Sequence, residues 1–163
     1  MSVTDEFIAA NSAYVESFED GDLPLPPARK VAVLACMDAR LDPAAILGLA
    51  NGDAHVIRNA GGVVTDDALR SLVISQKLLG TREIVLLHHT DCGMVTFSDD
   101  EVKAQITAEV GVRPHFALEA FPDVTEDVRQ SISRLKNSPF LPNAESIRGF
   151  VYNVSDGSIT EVV

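Results

Sequence analysis

At 163 residues the chain is long enough for one domain with a full hydrophobic core. Its 46% apolar and 23% charged residues are ordinary for a globular protein. The net charge of −11 argues against nucleic acid or an anionic membrane as a partner, because both need a basic face.

The N-terminus, Met1-Ser-Val-Thr-Asp-Glu, has no basic region followed by an apolar one, and no apolar run approaches a membrane span. A cytoplasmic protein is expected. Its two cysteines, Cys36 and Cys92, could form a disulfide on count alone; without an export signal, metal or redox use is favoured.

Residues 3–18 read as a helix that Ser2 or Thr4 can cap, with Asp5 and Glu6 in its first turn. Phe7, Ile8, Ala10, Tyr14, Val15 and Phe18 make an apolar stripe at helical spacing, to be buried in its own domain or on a neighbouring subunit. Gly21 to Pro27 is a proline-rich linker. Val31 to Cys36 predicts a first strand, apolar on both faces, followed by the loop Met37-Asp38-Ala39-Arg40 and a short helix from Pro43 to Leu49. His55 to Arg58 is a second strand, and Asn59-Ala60-Gly61-Gly62 a turn that brings backbone close to something.

Thr65-Asp66-Asp67 opens a helix that Gly80 closes. Leu69, Leu72, Val73 and Leu79 share one face, and Ile74 and Leu78 widen it enough to suggest contact with a second subunit as well as the sheet. Glu83 to His89 is a third buried strand. Ser98 to Val110 and Asp123 to Lys136 are helices around an irregular stretch, and Ile147 to Val154 and Ser158 to Val163 are strands joined by a turn at Asp156-Gly157. The alternation predicts a single α/β domain over residues 1–163, with a mainly parallel sheet of four to five strands flanked by helices.

In such sheets the site lies beyond the C-terminal strand ends. Cys36 ends the first predicted strand, and His89 and Cys92 end the third. If those strands are neighbours, the three side chains converge. Two thiolates and one neutral imidazole would balance the charge of Zn2+ and leave its fourth position free, as a catalytic zinc needs. Such an ion lowers the pKa of bound water from ~15.7 towards ~7. A helix start beside Cys92 would help it to ionise. Asp38 could occupy the fourth position, or Arg40 could hold it off in a bidentate pair. Each residue alone also has a plain structural role: Cys36 in the core, His89 at a strand end, Asp38–Arg40 as a loop ion pair, and Cys36–Cys92 as a redox dithiol.

Cys36-Met-Asp38-Ala-Arg40, Val56-Ile-Arg58-Asn59-Ala60-Gly61 and His89-Thr-Asp-Cys92-Gly93, in this order and separation, resemble the β-class carbonic anhydrases, in particular a compact actinobacterial-type subgroup. The resemblance covers roughly residues 30–160. It implies Zn2+ on Cys36, His89 and Cys92, Asp38 and Arg40 as a catalytic dyad, and hydration of CO2 to bicarbonate. It also implies a homodimer or dimer of dimers, with the site near the subunit interface and the helix at 3–18 on the partner. Gly61, Gly62 and His88 are assigned to the substrate pocket; many members of the family have glycine where this chain has His88. The chain has no Trp, so the tryptophan-containing bicarbonate pocket of some members is not expected. The subgroup is also similar to the carbonyl sulfide and carbon disulfide hydrolases. COS hydrolysis at the same zinc site is therefore an alternative, and a zinc- or thiol-bearing protein without turnover a second one.

Overall fold

The structure, a computed structural model, describes residues 2–163. Its sheet has five strands: β1 (Val31–Cys36), β2 (Ala54–Asn59), β3 (Glu83–His89), β4 (Ile147–Tyr152) and β5 (Ile159–Val162). Their spatial order is β2-β1-β3-β4-β5. The first four run parallel, and β5 returns antiparallel on β4, as the Asp156-Gly157 turn predicts. The two sequence-distant strands β1 and β3 are thus neighbours, with Ala35 opposite Leu87.

The helices are α1 (Val3–Glu16), α2 (Pro43–Leu47), α3 (Asp66–Lys77), α4 (Asp99–Val110) and α5 (Val124–Lys136). Each is closed at its N-terminus by the side chain of the preceding Ser, Asp or Thr: Ser2, Asp42, Thr65, Ser98 and Asp123. On one face of the sheet, Ala32 and Leu34 of β1 and Ile84 and Leu86 of β3 pack against Ala68 and Leu72 of α3 and Leu135 of α5. On the other, Val33, Ala35 and Leu87 meet Ile46 and Leu47 of α2. Two-sided cover is why β1 and β3 read as unbroken apolar runs rather than alternating ones.

Helix α1 departs from this pattern. A capping box between Ser2 and Asp5 starts it, yet none of its residues is buried. Phe7, Ile8, Tyr14, Val15 and Phe18 are exposed, so the chain's own core does not take up the apolar stripe. The C-terminal part of α3 behaves similarly, with Ile74 and Leu78 exposed. No helix among the described residues is long and apolar enough to cross a membrane.

Helix α5 reaches β4 closely because Gly149 has no side chain. A Cβ there would overlap Val128 and stand 3.0 Å from Ile132 Cδ1. Gly149→Ala is therefore expected to cost about 1–3 kcal/mol by overpacking, read as a lower midpoint in urea unfolding. An unchanged midpoint would mean that α5 shifts without resistance.

Candidate metal centre

The parallel pairing of β1 with β3 sets the C-terminal ends of both strands side by side. Cys36 is the last residue of β1, His89 the last of β3, and Cys92 follows three positions later. Their ligand atoms all lie within 4.8 Å of one another, and all three residues are buried. The segment after β3 stays on course because the Thr90 N–H donates to the Tyr152 carbonyl at 2.8 Å and Thr90 Oγ1 accepts from the Val154 N–H at 3.1 Å. Asp91 then turns the chain with φ of 55°, and Cys92 comes back within reach of His89.

His89 is fixed in one tautomer. Its Nδ1 lies 2.8 Å from the Thr90 carbonyl, which can only accept, so Nδ1 carries the proton and donates it. That leaves Nε2 with a lone pair, buried and without a hydrogen-bond partner. A buried acceptor left unpaired beside two sulfurs fits a soft divalent cation, and the backbone carbonyl on the far nitrogen is the usual means of orienting a metal-binding imidazole.

The protein groups alone leave protons for such a cation to displace. Burial pushes the Cys36 thiol up, but the His89 imidazole and the backbone N–H groups of Asp38 and Gly61 outweigh it, and it settles at about 7. Burial also pushes Cys92 up, and with Cys36 beside it the Met94 N–H cannot compensate; Cys92 reaches about 11. The expected help from a helix start is present as the Met94 N–H in the short turn Gly93–Val95, but burial outweighs it. Burial disfavours the charged form of His89, but Cys36 and the Thr90 carbonyl outweigh it and raise its pKa.

Asp38 and Arg40 form a two-pronged pair. Arg40 Nε donates to Asp38 Oδ1 at 3.0 Å, Nη2 to Oδ2 at 2.8 Å, and the Arg40 backbone N–H to Oδ1 at 2.8 Å. These bonds, the side-chain ones first, hold the Asp38 carboxyl well below the usual carboxylate range. Asp38 Oδ2 stands 3.7 Å from His89 Nε2, at the edge of the three ligands.

Two contributors were not singled out by sequence reasoning. Arg58, in the second motif stretch, donates from Nε and Nη2 to the Cys36 carbonyl at 3.0 and 2.8 Å and from Nη2 to the Asp38 carbonyl at 2.7 Å. It clamps the backbone that carries one ligand and the carboxylate. Asp91 accepts from Arg40 Nη1 at 2.7 Å. An arginine closing a strand and an acid between two ligands were the available signals, but neither spacing reveals its partner.

The ligands open into a cavity of about 330 Å³ whose wall includes Met37, Asp38, Ala60, Gly61, Met94 and Phe97. Gly61 thus lines the cavity. Gly62 does not; it is buried against the strand ends with φ of 73°, where a Cβ would lie 2.9 Å from the Cys36 nitrogen. Its smallness lets the turn pack on the ligand strand. His88 is not among the lining residues either. Its ring is buried beside Phe121, at 6.0 Å between centroids, and its Nε2 lies 2.7 Å from Asp127 Oδ2 on α5. Alternation along β3 separates it from His89.

Residues 31–159 match the family model described as carbonic anhydrase. β-Carbonic anhydrase 1 of Mycobacterium tuberculosis is 56% identical over 162 residues, covering 99% of each chain. A carbon disulfide hydrolase of Saccharolobus solfataricus is 36% identical, covering 80% of this chain and 76% of the relative. The crystal structure of a carbonic anhydrase from Streptococcus mutans superposes with a TM-score of 0.93 at 50% identity, covering 100% of this chain and 99% of the other. With a family match over most of the chain and relatives alike from end to end, this protein belongs to the β-carbonic anhydrase family.

Proposed function

We propose that the protein catalyses the reversible hydration of carbon dioxide to bicarbonate and a proton, with Zn2+ held by Cys36, His89 and Cys92. The observation that carries this function is the buried convergence of those three ligand atoms within 4.8 Å, with His89 Nε2 unpartnered. Bound there, zinc would serve as a Lewis acid that makes water nucleophilic near neutral pH.

The chain's own residues do the rest. Asp38, kept ionised by Arg40, accepts a hydrogen bond from the attacking water and aims its lone pair at the substrate carbon. Arg40 occupies both Asp38 oxygens and so restrains the carboxylate from becoming a fourth ligand. The N–H groups of Asp38 and Gly61 point at the Cys36 sulfur and temper its donation to the metal. Met37, Ala60, Met94 and Phe97 give an apolar wall suited to a small neutral substrate. The two free thiols suit a reducing cytoplasm.

A second reading is COS hydrolysis at the same site; the relatives named carbon disulfide hydrolase support a sulfur-bearing analogue of CO2 as substrate. They are 34–36% identical against 56% for the carbonic anhydrase, which favours CO2 as the first reading. Competition between CO2 and COS for one zinc-loaded preparation separates the two.

We also propose a homodimer, as the unit of any larger dimer of dimers. Two features support it: the apolar stripe of α1 is exposed, and β2 is an open sheet edge carrying an exposed Val56. Removing residues 1–18 should lower the mass measured by light scattering towards that of one chain. A truncated protein that keeps its full-length assembly would remove α1 from the interface.

Stopped-flow CO2 hydration should be fast in the zinc-loaded protein and rise from about pH 7 to about pH 9, as the metal-activated water ionises. Asp38→Asn should keep its zinc and lose about 100-fold or more in rate. An unchanged rate in that variant would point to a zinc protein without this chemistry.

Metal affinity should rise with pH. A cation needs both thiolates and a neutral His89, and the proton it displaces comes from Cys92, at about 11. Below that value protons compete, so zinc uptake against a chelator should strengthen by up to about tenfold per pH unit for each proton released. Cys92→Ser should lose stoichiometric zinc; a variant that retains it would overturn the ligand assignment.

A further inference from the structure

Arg40 is bound on two sides, and only one of them is Asp38. On the other, Nη1 donates to Asp91 Oδ2 at 2.7 Å and Nη2 donates to the Asp91 carbonyl at 2.9 Å. Asp91 sits between ligands His89 and Cys92, with a left-handed φ of 55°. That backbone turn aims both its carbonyl and its carboxylate at the same guanidinium. A surface ion pair of this exposure is a poor device for stability, since the Arg40 and Asp91 side chains are 47% and 78% exposed. It does, however, tie the loop that carries Asp38 to the loop that carries two ligands.

We propose that Asp91 is a positioning residue for the Asp38–Arg40 pair: it anchors Arg40 so that Arg40 holds Asp38 beside the metal and off it. The proposal rests on the carbonic anhydrase function above. The geometry leaves Arg40 little freedom while both anchors are present. Its Nε and Nη2 serve Asp38, its Nη1 serves the Asp91 carboxylate, and Nη2 is shared with the Asp91 carbonyl. Without the Asp91 carboxylate, a half-exposed guanidinium keeps its bonds to Asp38 but loses its fixed point on the ligand loop. Asp38 Oδ2, already 3.7 Å from His89 Nε2, is then free to advance with Arg40 towards a metal ligand position.

Asp91→Gly and Asp91→Asn separate side chain from backbone. Both residues accept a left-handed φ, so both keep the turn and its carbonyl bond; Gly removes the side-chain acceptor, and Asn keeps an acceptor without the charge. Each variant is loaded with zinc for kinetics and with cobalt(II) for its visible spectrum, beside Arg40→Ala. In Asp91→Gly, kcat for CO2 hydration should fall about tenfold with stoichiometric metal and an unchanged Tm. Its cobalt spectrum should move towards that of Arg40→Ala, and Asp91→Asn should lie between Asp91→Gly and the parent protein. A Gly variant with the parent's kcat and spectrum would overturn the proposal, as would a fall in kcat traced wholly to metal loss or to a lower Tm. The spectrum reports the metal's ligands without turnover, so a parent protein inactive on CO2 would refute the function while the spectral comparison still decides the role of Asp91.

Discussion

The pairing of β1 with β3 is the constraint on which the site depends. These strands are separated in sequence by α2, β2 and α3, and only their parallel contact puts Cys36 beside His89. Parallel pairing of this kind needs helical crossovers, and the crossovers need apolar faces on both sides of the sheet. Ala32, Leu34, Ile84 and Leu86 on one face and Val33, Ala35 and Leu87 on the other meet that demand. Because side chains alternate along a strand, a slip of one residue would exchange His89 for His88 and point the lone pair of the ligand away from the sulfurs. The register that buries the core is therefore the register that builds the metal centre.

Charge explains the groups around it. Two thiolates and a carboxylate gathered where the ends of β1 and β3 meet repel each other, and burial adds to the cost of every ionised form. The chain divides its counter-charges by task. Arg40 neutralises Asp38 from the solvent side, while Arg58 places no charge pair at all and instead holds the carbonyls of Cys36 and Asp38. The Cys92 thiol, with burial and Cys36 both raising it to about 11, has its charge matched only when a cation arrives. Folding and metal binding are coupled in such a site, since the bound ion relieves a buried group that the fold alone leaves costly.

Much of this was legible in the residues. Strands β1 and β3 have the bounds expected from their apolar runs, because two-sided burial leaves an uninterrupted signal. The capped helices were legible as well: Ser98 and Asp123 announce α4 and α5 by side-chain bonds that need only local chain. His89 and Cys92 stood out by spacing, and Cys36 by its place at a strand end. What depended on distant partners was hidden. Arg58 looks like any strand-end arginine until β2 lies beside β1, and His88 looks like a pocket residue until alternation turns it to Asp127. Gly62 signalled a close approach, but not that the surface approached would be the Cys36 backbone rather than the cavity. The stripe on α1 was visible as a pattern, yet a single chain cannot state what covers it.

Relatives of this chain carry the names of two activities, carbonic anhydrase and carbon disulfide hydrolase. CO2, COS and CS2 are linear, uncharged and at most weakly polar, and each offers an electrophilic carbon to the same nucleophile. A carboxylate at 3.7 Å from the ligand imidazole can orient that nucleophile for any of them. What differs is the bulk and polarisability of the flanking atom; the apolar part of this cavity's wall includes Met37, Met94 and Phe97. Apolar walls discriminate weakly between molecules that differ by one small group, by about 10- to 200-fold. A cavity of about 330 Å³ has room for each of these substrates, so size alone does not exclude COS. Met37, Met94 and Phe97 belong to short loops, which can change without disturbing the strand register that brings Cys36 and His89 together.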